Sequence, residues 1–333
     1  MNTVHLAVPT ARAVPVEQSC HSPHHRSGCP TASVPPVTNP WILGARPRTL
    51  PAAVVPVAVG AAAAFGTGAP VVGWRGVVAL LVSLALQVGV NYANDYSDGV
   101  RGTDDVRVGP QRLVASGLRS PSAVRNAAFV AFAVAGVGGL VLAATTTWWL
   151  LAVGIACFAA GWGYTGGPAP YGYLGLGELF VFVFFGLVAT AGTTFVMIER
   201  LTLLAVGAAI PVGLLATALL VVNNLRDIPT DAVTGKRTLA VRLGDAGTRR
   251  LYLLLLVGVF VAVPFVAGLG LRPVAAIALL AVIPARRPLL TVLGGATGPA
   301  LIPVLGATGR VQLLFGGLFA SGLALSVLVV DGI

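Results

Sequence analysis

Charge is what this chain lacks most. Only 10 % of its 333 residues are Asp, Glu, Lys or Arg, and just 11 are acidic. Ordinary soluble domains carry roughly 25 % charged residues. A water-soluble globule of this size could not cover its surface with so few. The scarcity excludes a soluble enzyme, a disordered protein and a collagen-like chain. Cysteine is scarce too: Cys20, Cys29 and Cys157 form no disulfide framework. The apolar runs lack period-2 alternation, so strands of a membrane barrel are not expected. What is present is 56 % hydrophobic residues and a mean hydropathy of +0.89. That composition implies an all-α integral membrane protein. Glycine, at 42 residues, suits close helix packing in lipid, where small side chains let backbones approach.

The charge-free stretches act as a ruler. Between Thr49 and Asn94 only Arg75 is charged, and between Asn126 and Ile198 only Glu178. A spanning helix needs about 20 apolar residues. Nine spans are predicted, at 50–67, 76–97, 122–144, 147–165, 177–197, 202–224, 249–268, 272–291 and 311–330. With a cytoplasmic N-terminus, 18 of the 21 basic residues fall on the cytoplasmic side and only Arg75, Arg200 and Arg272 on the other. This agrees with the positive-inside rule. One span more or fewer would invert everything downstream and spoil the split. The net charge of +10 therefore reads as loops facing anionic head groups of the bilayer, not as a nucleic-acid surface. Residues 1–40 are rich in Pro, Ser and His and lack a signal-peptide core; they are expected to form a disordered tail ahead of a 41–333 membrane domain. Cys20 and Cys29 bracket His21, His24 and His25 there, at a spacing that matches no zinc pattern.

Six of the 11 acids gather in two places. The first runs Asn91-Tyr-Ala-Asn94-Asp95-Tyr-Ser-Asp98-Gly-Val-Arg101-Gly-Thr-Asp104-Asp105, and the second runs Asn223-Asn224-Leu-Arg226-Asp227-Ile-Pro-Thr-Asp231-Ala-Val-Thr-Gly-Lys236-Arg237-Thr238. Each sits at the cytoplasmic end of an even-numbered span and opens with Asn-x-x-x-Asp, one face of a helix. A carboxylate continuing an apolar helix costs energy unless it is paired or functional. The two clusters are expected to face each other across a central cavity. Asn and Asp oxygens with nearby Lys and Arg are what a magnesium–diphosphate site requires. Arg101, Arg226, Lys236 and Arg237 are the candidate phosphate partners. Three further segments stand on the same side. They are Gly-Ala-Arg46-Pro-Arg48-Thr-Leu-Pro, the turn-rich loop Arg107–Gly117 containing Arg112, and the aromatic loop Tyr164–Glu178.

These motifs resemble the UbiA superfamily of intramembrane aromatic prenyltransferases, and most closely its 1,4-dihydroxy-2-naphthoate branch. The resemblance covers about residues 41–330. It rests on Asn91-x-x-x-Asp95-x-x-Asp98, Asp227-x-x-x-Asp231, Arg46-Pro-Arg48-Thr-Leu-Pro, the Tyr164–Glu178 segment and Gly-Lys236-Arg237-Thr238-Leu. The superfamily often ends its first motif on a further Asp, where this chain has Gly102, with Asp104 and Asp105 beyond. The resemblance implies nine transmembrane helices around a central cavity and transfer of a polyprenyl group from its diphosphate to 1,4-dihydroxy-2-naphthoate, with loss of CO₂ and diphosphate. It also implies Mg²⁺, as two ions, on Asn91, Asn94, Asp95, Asp98, Asp227 and Asp231, with those four aspartates as the catalytic set. Arg46, Arg112, Tyr164 and Glu178 are candidate substrate contacts. Two alternatives stay open. One is another acceptor, such as 4-hydroxybenzoate. The other is a secondary transporter, although transporter sites usually lie near the midplane on broken helices and these acids lie at helix ends.

Overall fold

The computed structural model describes residues 39–103 and 111–330. The expected tail with its Cys/His cluster falls outside the described residues, as do Arg107, Asp104 and Asp105. Among the described residues, ten helices carry the fold: α1 (Pro40–Ala45), α2 (Pro51–Ala64), α3 (Gly73–Val100), α4 (Pro121–Thr145), α5 (Leu150–Gly163), α6 (Gly177–Ile198), α7 (Leu203–Val233), α8 (Leu239–Leu269), α9 (Pro273–Leu293) and α10 (Leu301–Val330). Their starts are written in the sequence. Proline occupies the first turn of α1, α2, α4 and α9, where its missing N–H is no loss. Ser120, Thr202 and Thr238 accept a hydrogen bond from the third amide beyond them.

Each of the nine predicted apolar segments is helical. Among the described residues, however, seven helices are long and apolar enough to cross a membrane; α1 and α2, bent by 50°, make an eighth as a pair. Helix α5 has 14 residues and rises only about 21 Å, short of the roughly 30 Å of a hydrocarbon core. The expectation of nine full spans is corrected there: Thr147–Trp149 form a turn instead of continuing the helix. Three other boundaries move outward. Helix α7 runs nine residues past the predicted 224 and so carries the whole second acidic motif. Its Asn and Asp residues read as a helix end in sequence, but they are paired inside the protein and the helix continues through Pro229. Helix α8 starts at Leu239 with a break at Gly244 (φ 68°), and α10 starts ten residues early.

The helices alternate in direction. One end collects Arg75, whose guanidinium donates to Glu199 at 2.6 Å, to the Val196 carbonyl and to that of Thr145, and Arg272, which donates to the Phe65 carbonyl. The other end holds both acidic motifs and most of the cations. Helix α7 is the central column: 72 % of its apolar window is inside protein, against 28–44 % for the other six. Against it packs α6, which widens into π turns over Phe182–Val188. A methyl group on Gly186 would lie 2.5 Å from Gly213 Cα, so two glycines set this crossing. The wide turn directs Phe184, Phe185 and Val188 into the interior cavity, a common use of a π bulge.

Candidate active site

A cavity of about 560 Å³ opens between α3, α4, α5, α6 and α7. Its polar end is lined by Asn94 and Asp98 of α3, Asn223, Asp227 and Asp231 of α7, and Lys236 just beyond. Away from that end its walls are apolar, built from Val82, Leu86, Ile155, Phe158, Phe184 and Val188 among others. The two acidic arms do face each other. Lys236 Nζ lies 3.1 Å from Asp98 Oδ1, so the segment after α7 reaches the end of α3. Tyr173 donates its hydroxyl to the same oxygen at 2.9 Å. Burial alone would lower the Lys236 pKa, but Asp98, Tyr173 and Asp231 more than offset it and raise it overall. Tyr164 is pushed well above its ordinary value by burial, and by Glu178, Tyr171, Asp98 and Asp231. Carboxylates from both arms therefore act on the same side chains.

The arms pair in a different register from the one expected. At about 100° per residue, and with Asn91 as zero, Asn94 stands near −60°, Asp98 near −20° and Asp95 near +40°. Asn94-x-x-x-Asp98 thus points into the cavity opposite Asn223-x-x-x-Asp227-x-x-x-Asp231. Asp95 is buried and turned to the neighbouring loop, where the amides of Leu113 and Val114 donate to its two oxygens at 2.9 and 3.0 Å. Asn91 lines the cavity, but its amide donates to the Ala45 carbonyl at 2.8 Å and the Thr49 hydroxyl at 3.1 Å. Its work is to hold the α1–α2 bend. Of the two residues expected to face the cavity, Asn91 stands on its wall with its amide bonded to the α1–α2 bend, and Asp95 is not among the lining residues.

Two of the four proposed phosphate cations have their guanidinium groups bonded within the protein, and a third stands exposed outside the cavity. Arg226 forks onto both oxygens of Asp227 at 2.7 and 2.8 Å and onto Asn223 at 2.9 Å, with its side chain 1 % exposed. Arg101 donates to the carbonyls of Thr165 and Gly167 and lies over the Tyr173 ring. The exposed Arg237 joins the aromatic loop through its amide, which donates to the Tyr173 carbonyl at 3.0 Å. None of the three lines the cavity; Lys236 does. Arg46, Arg112 and Tyr164 line it as well. Glu178 sits behind the wall, accepting from Asn224 at 2.9 Å, with its second oxygen buried without a protein partner.

Sequence reasoning missed Tyr173, Thr165 and Asn223. Thr165 donates to Asn94 at 2.8 Å and so orients the first arm. The matched spacing of Asn94/Asp98 and Asn223/Asp227 was the available signal for the register. Among the described residues, no three His, Cys, Asp or Glu side chains already converge as a cage. The lining offers carboxylate and amide oxygens on two opposed helices, with no thiolate or imidazole at the polar end. That donor set fits Mg²⁺, which takes one or two carboxylates and fills its remaining positions with phosphate oxygen and water.

Residues 53–290 match the model of the UbiA prenyltransferase family. The chain belongs to that family. A 1,4-dihydroxy-2-naphthoate octaprenyltransferase of Mycobacterium tuberculosis is 50 % identical over 286 residues, which covers 85 % of this chain and 96 % of that protein. The fold is shared with a UbiA homologue from Aeropyrum pernix K1 in its apo form (TM-score 0.64, 16 % identity, 89 % of this chain and all of the other). A UbiA homologue from Archaeoglobus fulgidus bound to GPP and Mg²⁺ also shares it (TM-score 0.62, 15 % identity, 86 % and 100 %). With its apolar helices, this UbiA-family chain is a multi-pass membrane protein.

Proposed function

We propose that the chain transfers a polyprenyl group from polyprenyl diphosphate to 1,4-dihydroxy-2-naphthoate, releasing CO₂ and diphosphate, in menaquinone synthesis. The observation that carries this reading is one continuous cavity with two opposed Asn/Asp arms at its head and an apolar channel behind them. The half-identical naphthoate relative supplies the acceptor. The acid-lined end is assigned to the cytoplasmic side of the cell membrane, in line with the 18-to-3 division of basic residues.

Asn94 and Asp98 would hold one Mg²⁺, and Asn223, Asp227 and Asp231 a second. Bound there, Mg²⁺ neutralises charge on the diphosphate leaving group. Lys236 stands between the arms and donates to phosphate oxygen once Asp98 has another partner. Arg226 holds the Asp227 carboxylate in a fixed orientation through its two-point fork. The channel walls keep water from the allylic cation, and the faces of Phe180, Phe184 and Tyr171 offer it π density. The ring carbon bearing the carboxylate attacks the allylic carbon. The bond to CO₂ then breaks, and its electron pair restores the aromatic ring, giving the prenylated naphthohydroquinone. No proton leaves that carbon, so the site needs no base for it.

The test is incubation of the purified protein with a labelled prenyl diphosphate, Mg²⁺, and 1,4-dihydroxy-2-naphthoate or 4-hydroxybenzoate. The expected product is the decarboxylated prenyl naphthohydroquinone, lost in Asp98→Ala and Asp227→Ala variants that still run as monodisperse protein. Transfer only to 4-hydroxybenzoate, or full turnover in either variant, would overturn the reading.

A further inference from the structure

Asp95 is a carboxylate in the middle of the first acidic motif that does not face the cavity. Its two oxygens receive the amides of Leu113 and Val114, and it is 1 % exposed. The segment it holds packs down onto α3 without slack. A methyl group on Gly99, one turn beyond Asp95, would lie 2.6 Å from Val114 Cβ. Leu113 is fully buried, and a methyl on Gly44 of α1 would lie 2.5 Å from its Cδ1. Tyr92 completes the seat, donating its hydroxyl to the Trp41 carbonyl at 2.7 Å. The residue that precedes this clamped pair is Arg112, and it lines the polar end of the cavity. Arg46 enters the same cavity from the α1–α2 bend, whose backbone is held by Asn91. Two arginines thus line the cavity, each carried on a segment pinned to α3, and Arg46 also donates to the Asn91 carbonyl at 3.4 Å.

Resting on the reading above, we propose that Arg112 binds the carboxylate of the aromatic acceptor and that Asp95 is the positioning residue that sets it there. A guanidinium fork matches a carboxylate with two parallel hydrogen bonds, and that match is lost when its backbone moves by an ångström. Two charge-assisted bonds from adjacent amides to one buried carboxylate fix the two peptides that flank Leu113, the first of which joins it to Arg112. The arrangement separates two tasks within one motif. Asn94 and Asp98 serve the donor diphosphate, while Asp95, between them in sequence, serves the acceptor through the loop.

The experiment measures steady-state kinetics of the full-length protein in detergent with two acceptors, 1,4-dihydroxy-2-naphthoate and 1,4-dihydroxynaphthalene, which lacks the carboxylate. Asp95→Asn, Gly99→Ala and Arg112→Gln should each raise KM for the naphthoate about tenfold, the scale of one lost charge-assisted hydrogen bond. KM for the prenyl diphosphate and the Mg²⁺ activation midpoint should stay at the wild-type values. The affinity for 1,4-dihydroxynaphthalene, read as its inhibition of naphthoate transfer, should be the same in Arg112→Gln as in the wild type. The Asp95→Asn/Arg112→Gln double variant should be no worse than Arg112→Gln alone, because the two act in series. A rise in the Mg²⁺ midpoint of Asp95→Asn, like that of Asp98→Asn, would make Asp95 a metal ligand and overturn the proposal. So would an unchanged naphthoate KM in Arg112→Gln, a variant that leaves the clamp intact and does not depend on how Asp95→Asn folds. If the wild-type protein transfers no prenyl group to either naphthalene acceptor, the functional reading itself has failed, and that outcome differs visibly from both.

Discussion

Replacing Lys236 with methionine should move two affinities in opposite directions. The ammonium lies 3.1 Å from Asp98 Oδ1 and 4.7 Å from the Tyr173 ring centre, with the side chain 14 % exposed and that of Asp98 5 %. At an effective dielectric near 20, an ion pair at this distance is worth roughly 5 kcal/mol before desolvation. Desolvation of both groups offsets most of that. On the proposed reading, Lys236 competes with Mg²⁺ for Asp98 in the resting site and is available to phosphate in the loaded one. Methionine keeps the bulk and removes the competitor. Mg²⁺ alone should bind about tenfold more tightly, a gain of about 1.4 kcal/mol. The donor diphosphate should bind roughly tenfold to a hundredfold more weakly, the loss of one hydrogen bond to a charged group. Thermal unfolding in detergent, followed across a Mg²⁺ titration without substrate, reads the first quantity, because a ligand of the native state stabilises by RT ln(1 + [L]/Kd). Donor KM at saturating Mg²⁺ and acceptor reads the second. Weaker Mg²⁺ binding in Lys236→Met, or an unchanged donor KM, would refute the arrangement of Lys236 between the two arms.

Two further outcomes follow from cations that lie outside the cavity. Arg226→Lys keeps the charge but cannot fork onto both oxygens of Asp227, so turnover should fall by about tenfold or more and the Mg²⁺ midpoint should rise; an Arg226→Lys enzyme with wild-type Mg²⁺ response would show the fork to be dispensable. Arg101→Gln should leave the donor KM unchanged, because its guanidinium serves the carbonyls of Thr165 and Gly167; its effect should appear as faster proteolysis of the 164–176 loop, and a large rise in donor KM would return Arg101 to the phosphate site.

How far the sequence could be read differs from one feature to the next. The apolar segments were legible because lipid imposes a length and a composition on every span, and all nine proved helical. Helix α5 departs because the chain turns at Trp148–Trp149 and leaves a 14-residue apolar helix, too short by itself for the bilayer. The acidic clusters were legible because carboxylates at the ends of apolar helices are costly and so informative. Their helical state was hidden: Asn, Asp and Pro229 look like a helix end until Arg226, Thr165 and Lys236 supply partners. Asp95 and Asp98 differ by three positions on one helix and look alike in sequence. Their tertiary partners distinguish them: the loop carrying Leu113 and Val114 holds Asp95, and Lys236 and Tyr173 hold Asp98.

The order of charges and apolar runs along the chain was enough to determine a helical membrane protein and the end of the bundle at which its two acidic motifs lie. Those properties follow from the free energy of moving each segment from water into lipid, a sum over local residues. Tertiary structure decided which carboxylates line the cavity, which arginines are bonded within the protein, and that Lys236 reaches Asp98 from the far arm. Those assignments depend on which side chain meets which across a distance of a few ångströms, and residues 18 to 138 positions apart along the chain settle them.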